Sequence, residues 1–157
     1  ETGKSASSLG IGGNNPRTVA AWVLTRSFNN GGIFDVGNRS GGQDFCLRTQ
    51  TTDNRWRIQY WGGAFDQDFS YPTLDEWVHF ALIHDGTDTK LYADGLLIVD
   101  VPRTLATADT NPFQIGAYGW QNNFFNGLID DVHVYNRALS DAEVAGLVGL
   151  TVAFDRP

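Results

Sequence analysis

Apolar runs of four to eight residues alternate along this chain with clusters of Gly, Asn and Asp. That spacing predicts short antiparallel strands joined by tight turns, as in a β-sandwich. The first clear strand is predicted over 18–24. Asn29-Asn30-Gly31-Gly32 turns it into 33–37, and Gly41-Gly42 leads into 44–49. Thr52-Asp53-Asn54 turns into 56–61, while 62–74 is irregular, rich in aromatics and expected to be a long loop. A strand over 77–84 is followed, after Asp85-Gly86-Thr87-Asp88, by one over 90–93. Asp94-Gly95 joins that run to 96–99. Both positions of a two-residue hairpin turn need positive φ, and Asp and Gly tolerate it, so this hairpin is specified by its own turn chemistry.

Asn111-Pro112 precedes a strand over 113–116, and a second aromatic loop spans 117–126. The last core strand runs over 128–135. Strict alternation would put Ile129 and Val132 on opposite faces, although both are bulky. A bulge at Asp130-Asp131 turns Ile129, Val132 and Val134 inward together and aims two carboxylates outward. Ser140 stands three residues before Glu143, the spacing of a capping box, and Leu139 and Val144 occupy the positions of a hydrophobic staple. One short helix is therefore expected from Asp141 to about Leu147. The core is expected to draw on alternating residues of these strands: Trp22, Leu47, Ile58, Phe80, Leu82, Leu97, Ile115 and Val132.

Composition narrows the function classes. The 157 residues suit one domain, and 18 glycines with no methionine fit strands and turns rather than helices. A net charge of −7 argues against a nucleic-acid surface or an anionic membrane. No apolar run is long enough for a membrane helix, so no membrane insertion is expected. The lone Cys46 lies in an apolar run and reads as a packed thiol. Asn38-Arg39-Ser40 has the form of a glycosylation sequon. Residues 1–8 read as a linker or cloning scar, 9–150 as the domain, and 151–157 as a closing strand or the start of a linker.

The segment Phe125-Asn126-Gly127-Leu128-Ile129-Asp130-Asp131-Val132-His133-Val134-Tyr135-Asn136-Arg137-Ala138-Leu139-Ser140 resembles the closing strand of the laminin-G-like jelly-roll domains, within the concanavalin A-like lectin/glucanase superfamily. Val19-Ala20-Ala21-Trp22-Val23 looks like that family's early strand. Trp77-Val78-His79-Phe80-Ala81 and Leu91-Tyr92-Ala93-Asp94-Gly95 look like its central hairpin, and the likeness covers roughly 16–147. The resemblance implies an all-β fold, a two-sheet antiparallel β-sandwich of the concanavalin A-like jelly-roll type with one short helix near the C-terminus. The amino end departs from the pattern: Leu9-Gly10-Ile11-Gly12-Gly13-Asn14-Asn15 stands where the family has an apolar strand and an Asp-Gly turn, which would leave a sheet edge uncovered.

The resemblance also implies a structural calcium. In the related glucanases an Asp at the position of Asp130 helps to hold the ion with carbonyls of the opening segment, so the implied ligands here are Asp130, Gly12 and Asn14. Sugar sites need a flat aromatic face and convergent amides or carboxylates. Two segments have both: Tyr118, Trp120, Gln121 and Asn122 in one loop, Trp61 and Asp66 in the other. The paired carboxylates of sandwich glucanases, in a Glu-x-Asp-x-x-Glu strand, are missing, and so is a Gly-x-Ser-x-Gly elbow, so no catalytic residue is assigned. His79 and His84, five apart on one strand, point to opposite faces and cannot share a metal locally. The expectation is a non-catalytic extracellular or cell-surface recognition module, one domain of a larger protein, with a glycan as partner. A cell-surface or matrix protein as partner, and a passive spacer or accessory role, stay open.

Overall fold

The computed structural model describes residues 2–71, 74–119 and 123–152, the last three of these by backbone alone. Two sheets stack face to face, antiparallel apart from the parallel bridge of Phe124 to Gly32. One has five strands: β1 (Arg17–Thr25), β6 (Trp77–His84), β7 (Asp88–Ala93), β8 (Leu96–Pro102) and β12 (Gly127–Tyr135), in the order β12-β1-β6-β7-β8. The other is built on β2 (Gly32–Gly37), β3 (Asp44–Gln50), β4 (Arg55–Gln59) and β5 (Gln67–Phe69), side by side. On the far side of β2 lie β9 (Asn111–Ile115) and the short ribbon of β10 (Ala117–Tyr118) and β11 (Asn123–Phe124). This is the expected two-sheet sandwich.

Period-two alternation fills the space between the sheets. Val19, Ala21 and Val23 of β1, Val78, Phe80 and Leu82 of β6, and Leu91 and Ala93 of β7 face Phe34, Val36, Phe45, Leu47, Trp56, Ile58 and Phe113 of the other sheet in one buried cluster. The rings of Trp56 and Phe80 meet across the gap, with centroids 4.8 Å apart. Three expected core residues lie elsewhere. Leu97 and Ile115 are 49% and 44% exposed. Leu97 is on edge strand β8, where the pairing with β7 slips between Leu91 and Tyr92 and changes the side-chain phase. Ile115 ends β9, next to the positive-φ turn at Gly116. Trp22 is buried on the opposite face of β1, packed edge-on against the His79 ring.

That opposite face is covered by the helix α1 (Asp141–Val152), which runs beyond the expected end at Leu147. Leu139 and Val144 bury against Ala20, Ala81, Ile83 and Tyr92. The reciprocal cap is present: Ser140 N–H donates to Glu143 Oε2 at 2.8 Å, and Glu143 N–H donates to Ser140 Oγ at 3.4 Å. The Arg137 guanidinium grips the same carboxylate, and with the Ser140 donors it pulls the Glu143 pKa down to about 2. The bulge in β12 is present as well. Asp131 has φ 48°, the pairing with β1 slips between Ala20 and Trp22, and Ile129, Val132 and Val134 all pack on the core. Asp94 and Gly95, with φ 50° and 81°, make the hairpin turn between β7 and β8.

Part of the 62–74 segment expected to be loop forms β5, which pairs with β4. Likewise 117–126 contains β10 and β11. In the segment 1–8, expected to be a linker, the described residues lie on the sandwich. Thr2 and Lys4 exchange backbone bonds with Phe113, and Ala6 is fully buried. The missing opening strand is replaced in this way by a strip that clothes β9. Residues 153–157 lie outside the described residues.

Candidate functional site

The outward face of the β2–β5 sheet carries planar polar side chains where a plain surface sheet would carry Thr, Ser or Lys. Arg48 of β3 stands directly opposite Arg57 of β4, and Gln59 is next along on the same face. Together with Trp61, Gly62, Gly63, Asp66 and Tyr118 they line an open cavity of about 340 Å³. Arg57 is fully engaged. Its Nε and Nη2 donate to the two oxygens of Asp68 at 2.6 and 2.9 Å, and its Nη1 donates to Asp66 at 3.2 Å. This fork-to-carboxylate pairing pulls the Asp68 carboxyl below its ordinary range. Asp66 also accepts the Tyr60 N–H at 3.0 Å, which fixes the turn that carries Trp61. Arg48 donates through Nε to Gln59 Oε1 and through Nη1 to the Thr49 carbonyl.

Two aromatic walls flank this floor, each backed by an arginine. The Arg48 guanidinium lies 4.9 Å from the Tyr118 ring centroid, and that of Arg39 lies 5.1 Å from the Trp61 ring. Trp61 sits at φ 65°, a region a bulky residue rarely occupies, and Gly62 follows at φ 110°. The opposite wall is fixed at Gly119, whose N–H donates to Asp35 Oδ2 at 2.7 Å. Glycine suits the φ of 65° at Gly119, and a Cβ there would displace the Arg39 guanidinium. Behind this wall Asp35 and Asp44 are buried diagonally across β2 and β3. Burial, followed by the neighbouring Asp35, pushes the Asp44 carboxyl well above its ordinary range. Burial does the same to the Cys46 thiol, which packs as expected.

Of the residues expected to bind ligand, the structure brings Trp61, Asp66 and Tyr118 together. Trp120, Gln121 and Asn122 lie outside the described residues. Asp66 serves as a buttress for Arg57 and the Tyr60 amide. The floor residues Arg48, Arg57 and Gln59 were not among the expected ligand-binding residues. Their signal was the period-two run of long planar side chains in Arg48-x-Gln50 and Arg55-x-Arg57-x-Gln59.

The residues expected to hold calcium do not assemble. Asp130 is exposed and registers with Trp22, while the Gly13 carbonyl beside Asn14 is held by Arg17 at the other end of β1. Five strand residues separate those positions, roughly 16 Å at the rise of a strand. The Asn14 side chain is spent on the Gly86 carbonyl, His84 Nε2 and the Leu105 N–H, and Gly12 packs on Ser7. Among the described residues no cluster of three or more His, Cys, Asp or Glu side chains could hold a metal. His79 and His84 occupy opposite faces of β6, and His133 is exposed on β12.

Comparison with known proteins defines the class. The laminin G family model, described as the concanavalin A-like lectin/glucanases superfamily, matches residues 3–145, and the chain belongs to that family. Among curated proteins it is similar to adhesion G-protein coupled receptor V1 of Danio rerio, 22% identical over 139 residues. That match takes in 81% of this chain but only 2% of the receptor, so the chain spans a small part of that relative's length. Among solved structures it is similar to domain 4 of an extracellular arabinanase from Geobacillus stearothermophilus, solved in complex with arabinotriose. The TM-score is 0.67 at 22% identity, over 88% of this chain and 68% of that one. It is similar also to Trypanosoma rangeli sialidase, with a TM-score of 0.65 at 21% identity, over 86% of this chain and 23% of the sialidase. Among the described residues no helix is long and apolar enough to cross a membrane.

Proposed function

We propose that this domain is a non-catalytic extracellular recognition module that binds a glycan in the cavity on the β2–β5 face. The observation that carries the reading is the cavity's composition: two aromatic walls, Trp61 and Tyr118, over a floor of fixed planar donors and acceptors, Arg48, Arg57 and Gln59. A pyranose or furanose ring offers C–H faces to the former and hydroxyls to the latter. The floor is held in place before any ligand arrives, because Arg57 is clamped by two carboxylates and Arg48 by Gln59 and Tyr118. Among the described residues, the carboxylates of the floor network, Asp66 and Asp68, are tied to Arg57 rather than free to act as an acid and base pair. The arabinotriose bound to the arabinanase domain of the same fold supports a sugar ligand.

A glycan-array screen of the purified domain, in calcium and again in EDTA, tests this. Binding is expected in both conditions, since Arg, Gln and aromatic side chains form the cavity. Trp61→Ala is expected to weaken it on the order of tenfold, as loss of about 1.4 kcal/mol of ring contact would. Absence of binding to any sugar would overturn the reading and turn attention to a protein partner. The resemblance to part of an adhesion receptor supports that second reading.

A further inference from the structure

Three guanidinium groups surround the cavity, and three carboxylates stand against them. Arg57 is clamped by Asp66 and Asp68. Arg48, directly opposite Arg57 across β3 and β4, acts on the same Asp68 and helps to keep that carboxyl ionised. Asp35 stands opposite Cys46 on β2, which sets it diagonal to Arg48, two residues further along β3. One buried Asp35 oxygen has no hydrogen-bond partner among the described residues, and the other accepts the Gly119 N–H at 2.7 Å. The Arg39 guanidinium fills the space beside the Gly119 Cα, so a single glycine separates it from Asp35. The charge of Asp35 is thus set against Arg39 and Arg48 across a short gap. Asp44 adds no fourth negative charge, because burial, followed by the neighbouring Asp35, keeps its proton in place. At the far end of β4 the exposed Arg55 has its own partner in Asp53. Residues 120–122 are Trp, Gln and Asn, which carry no charge. Three positive groups therefore meet three negative ones. The donors of Arg48 are largely spent as well, Nε on Gln59 and Nη1 on the Thr49 carbonyl and the Asn30 side chain. A charged ligand group entering here would lose its hydration and find every counter-charge already engaged.

We infer that this cavity is selective for uncharged glycans and turns away sugars that carry a carboxylate or a free amine, because its arginines and aspartates are already matched to one another. The inference rests on the glycan reading above and adds the ligand class to it. A hydroxyl both donates and accepts, so it can join a floor of guanidinium, amide and carboxylate groups without upsetting their balance. The field of the whole chain, with a net charge of −7, opposes an acidic sugar further.

The test varies charge at constant ring structure. At mildly acidic pH and low salt, calorimetry compares methyl-esterified with free oligogalacturonate, lactose with sialyllactose, and N-acetylated with deacetylated chito-oligosaccharide. In every set that binds, the neutral member is expected to bind at least about tenfold tighter, with the margin over the acidic sugar shrinking as salt rises. Asp68→Asn, which removes one negative charge, is expected to shift the acid-to-neutral affinity ratio several-fold toward the acid. Arg48→Gln, which removes a positive charge, is expected to shift the ratio the other way, and it keeps the test open should the Asp68 variant unfold. A charged sugar binding as well as its neutral counterpart, or a ratio that neither variant moves, would overturn the inference while the glycan reading survived. If none of the three sets binds, the hits of a full glycan array decide: neutral hits support the inference and charged ones overturn it. No binding by any member of the array would remove both readings.

Discussion

Single buried side chains decide how this protein responds to pH. His84 is enclosed by Asn14, Thr89 and the Asp88 carbonyl, and burial, followed by the nearby Arg17 charge, lowers its pKa from 6.5 to about 4. The folded protein therefore binds fewer protons than the unfolded chain between those values. His84 contributes its full stability above pH 6.5 and loses it as the pH falls toward 4. Asp44 has the opposite sign. Its raised pKa gives stability that is complete below 3.8 and lost as the pH rises through its folded value. Asp44→Asn, neutral at every pH and still able to donate to Asp35, is expected to raise the melting temperature at pH 7 and to leave it unchanged at pH 3. His84→Gln is expected to flatten the decline between pH 6.5 and 4. Melting curves of the two variants against pH separate the effects.

At the scale of elements, local chemistry is strongest where the backbone is least ordinary. Asp131 must hold φ 48° for the β12 bulge to form. Asp131→Gly is expected to keep or raise the melting temperature, because glycine reaches that region freely, and Asp131→Val to lower it. Deleting residue 131 would remove the extra residue and leave Ile129, Val132 and Val134 on the inward face by plain alternation, so the shortened chain is expected to fold, which soluble expression would report. The helix leans on its cap. Ser140→Ala is expected to cost about 1 kcal/mol in urea unfolding, by exposing the Glu143 amide at the start of a helix that covers the Ala20, Ala81 and Ile83 face.

For the whole molecule, Arg17 joins the amino-terminal strip to the sandwich. It is fully buried. Its guanidinium donates to the carbonyls of Ile11, Gly13 and Asn15 and to Thr107 Oγ1, and it packs over the Phe45 ring. Burial lowers its pKa to about 10, still charged at neutral pH. Arg17→Ala would leave the buried Ile11 carbonyl without this donor and remove the bonds to Gly13, Asn15 and Thr107. It is expected to destabilise the protein by about 3 kcal/mol and to lower amide-exchange protection across 9–15 more than in β6.

Much of the fold was legible because its determinants are local. The Asp94-Gly95 turn, the Asp130-Asp131 bulge and the Ser140-to-Glu143 cap each state a backbone geometry in a few residues, and the inward phase of Phe80, Leu82, Leu47 and Ile58 follows from alternation. The candidate site was half legible. Trp61, Asp66 and Tyr118 stood out as aromatic and polar residues in glycine-rich segments, yet Tyr118 is distant in sequence from the other two and meets them only because β10 belongs to the same sheet as β4 and β5. Arg48 and Arg57 looked like ordinary outward strand positions, and only the register of β3 on β4 sets one against the other. The register of β1 on β12 likewise separates Asp130 from Gly12 and Asn14, which sequence similarity had grouped as metal ligands. The sequence alone determined the elements, their turns and most of the inward faces, because those depend on neighbours along the chain. The tertiary structure decided which polar side chains converge, because strand register, side-chain pairing and the path of the first fifteen residues depend on contacts between distant segments.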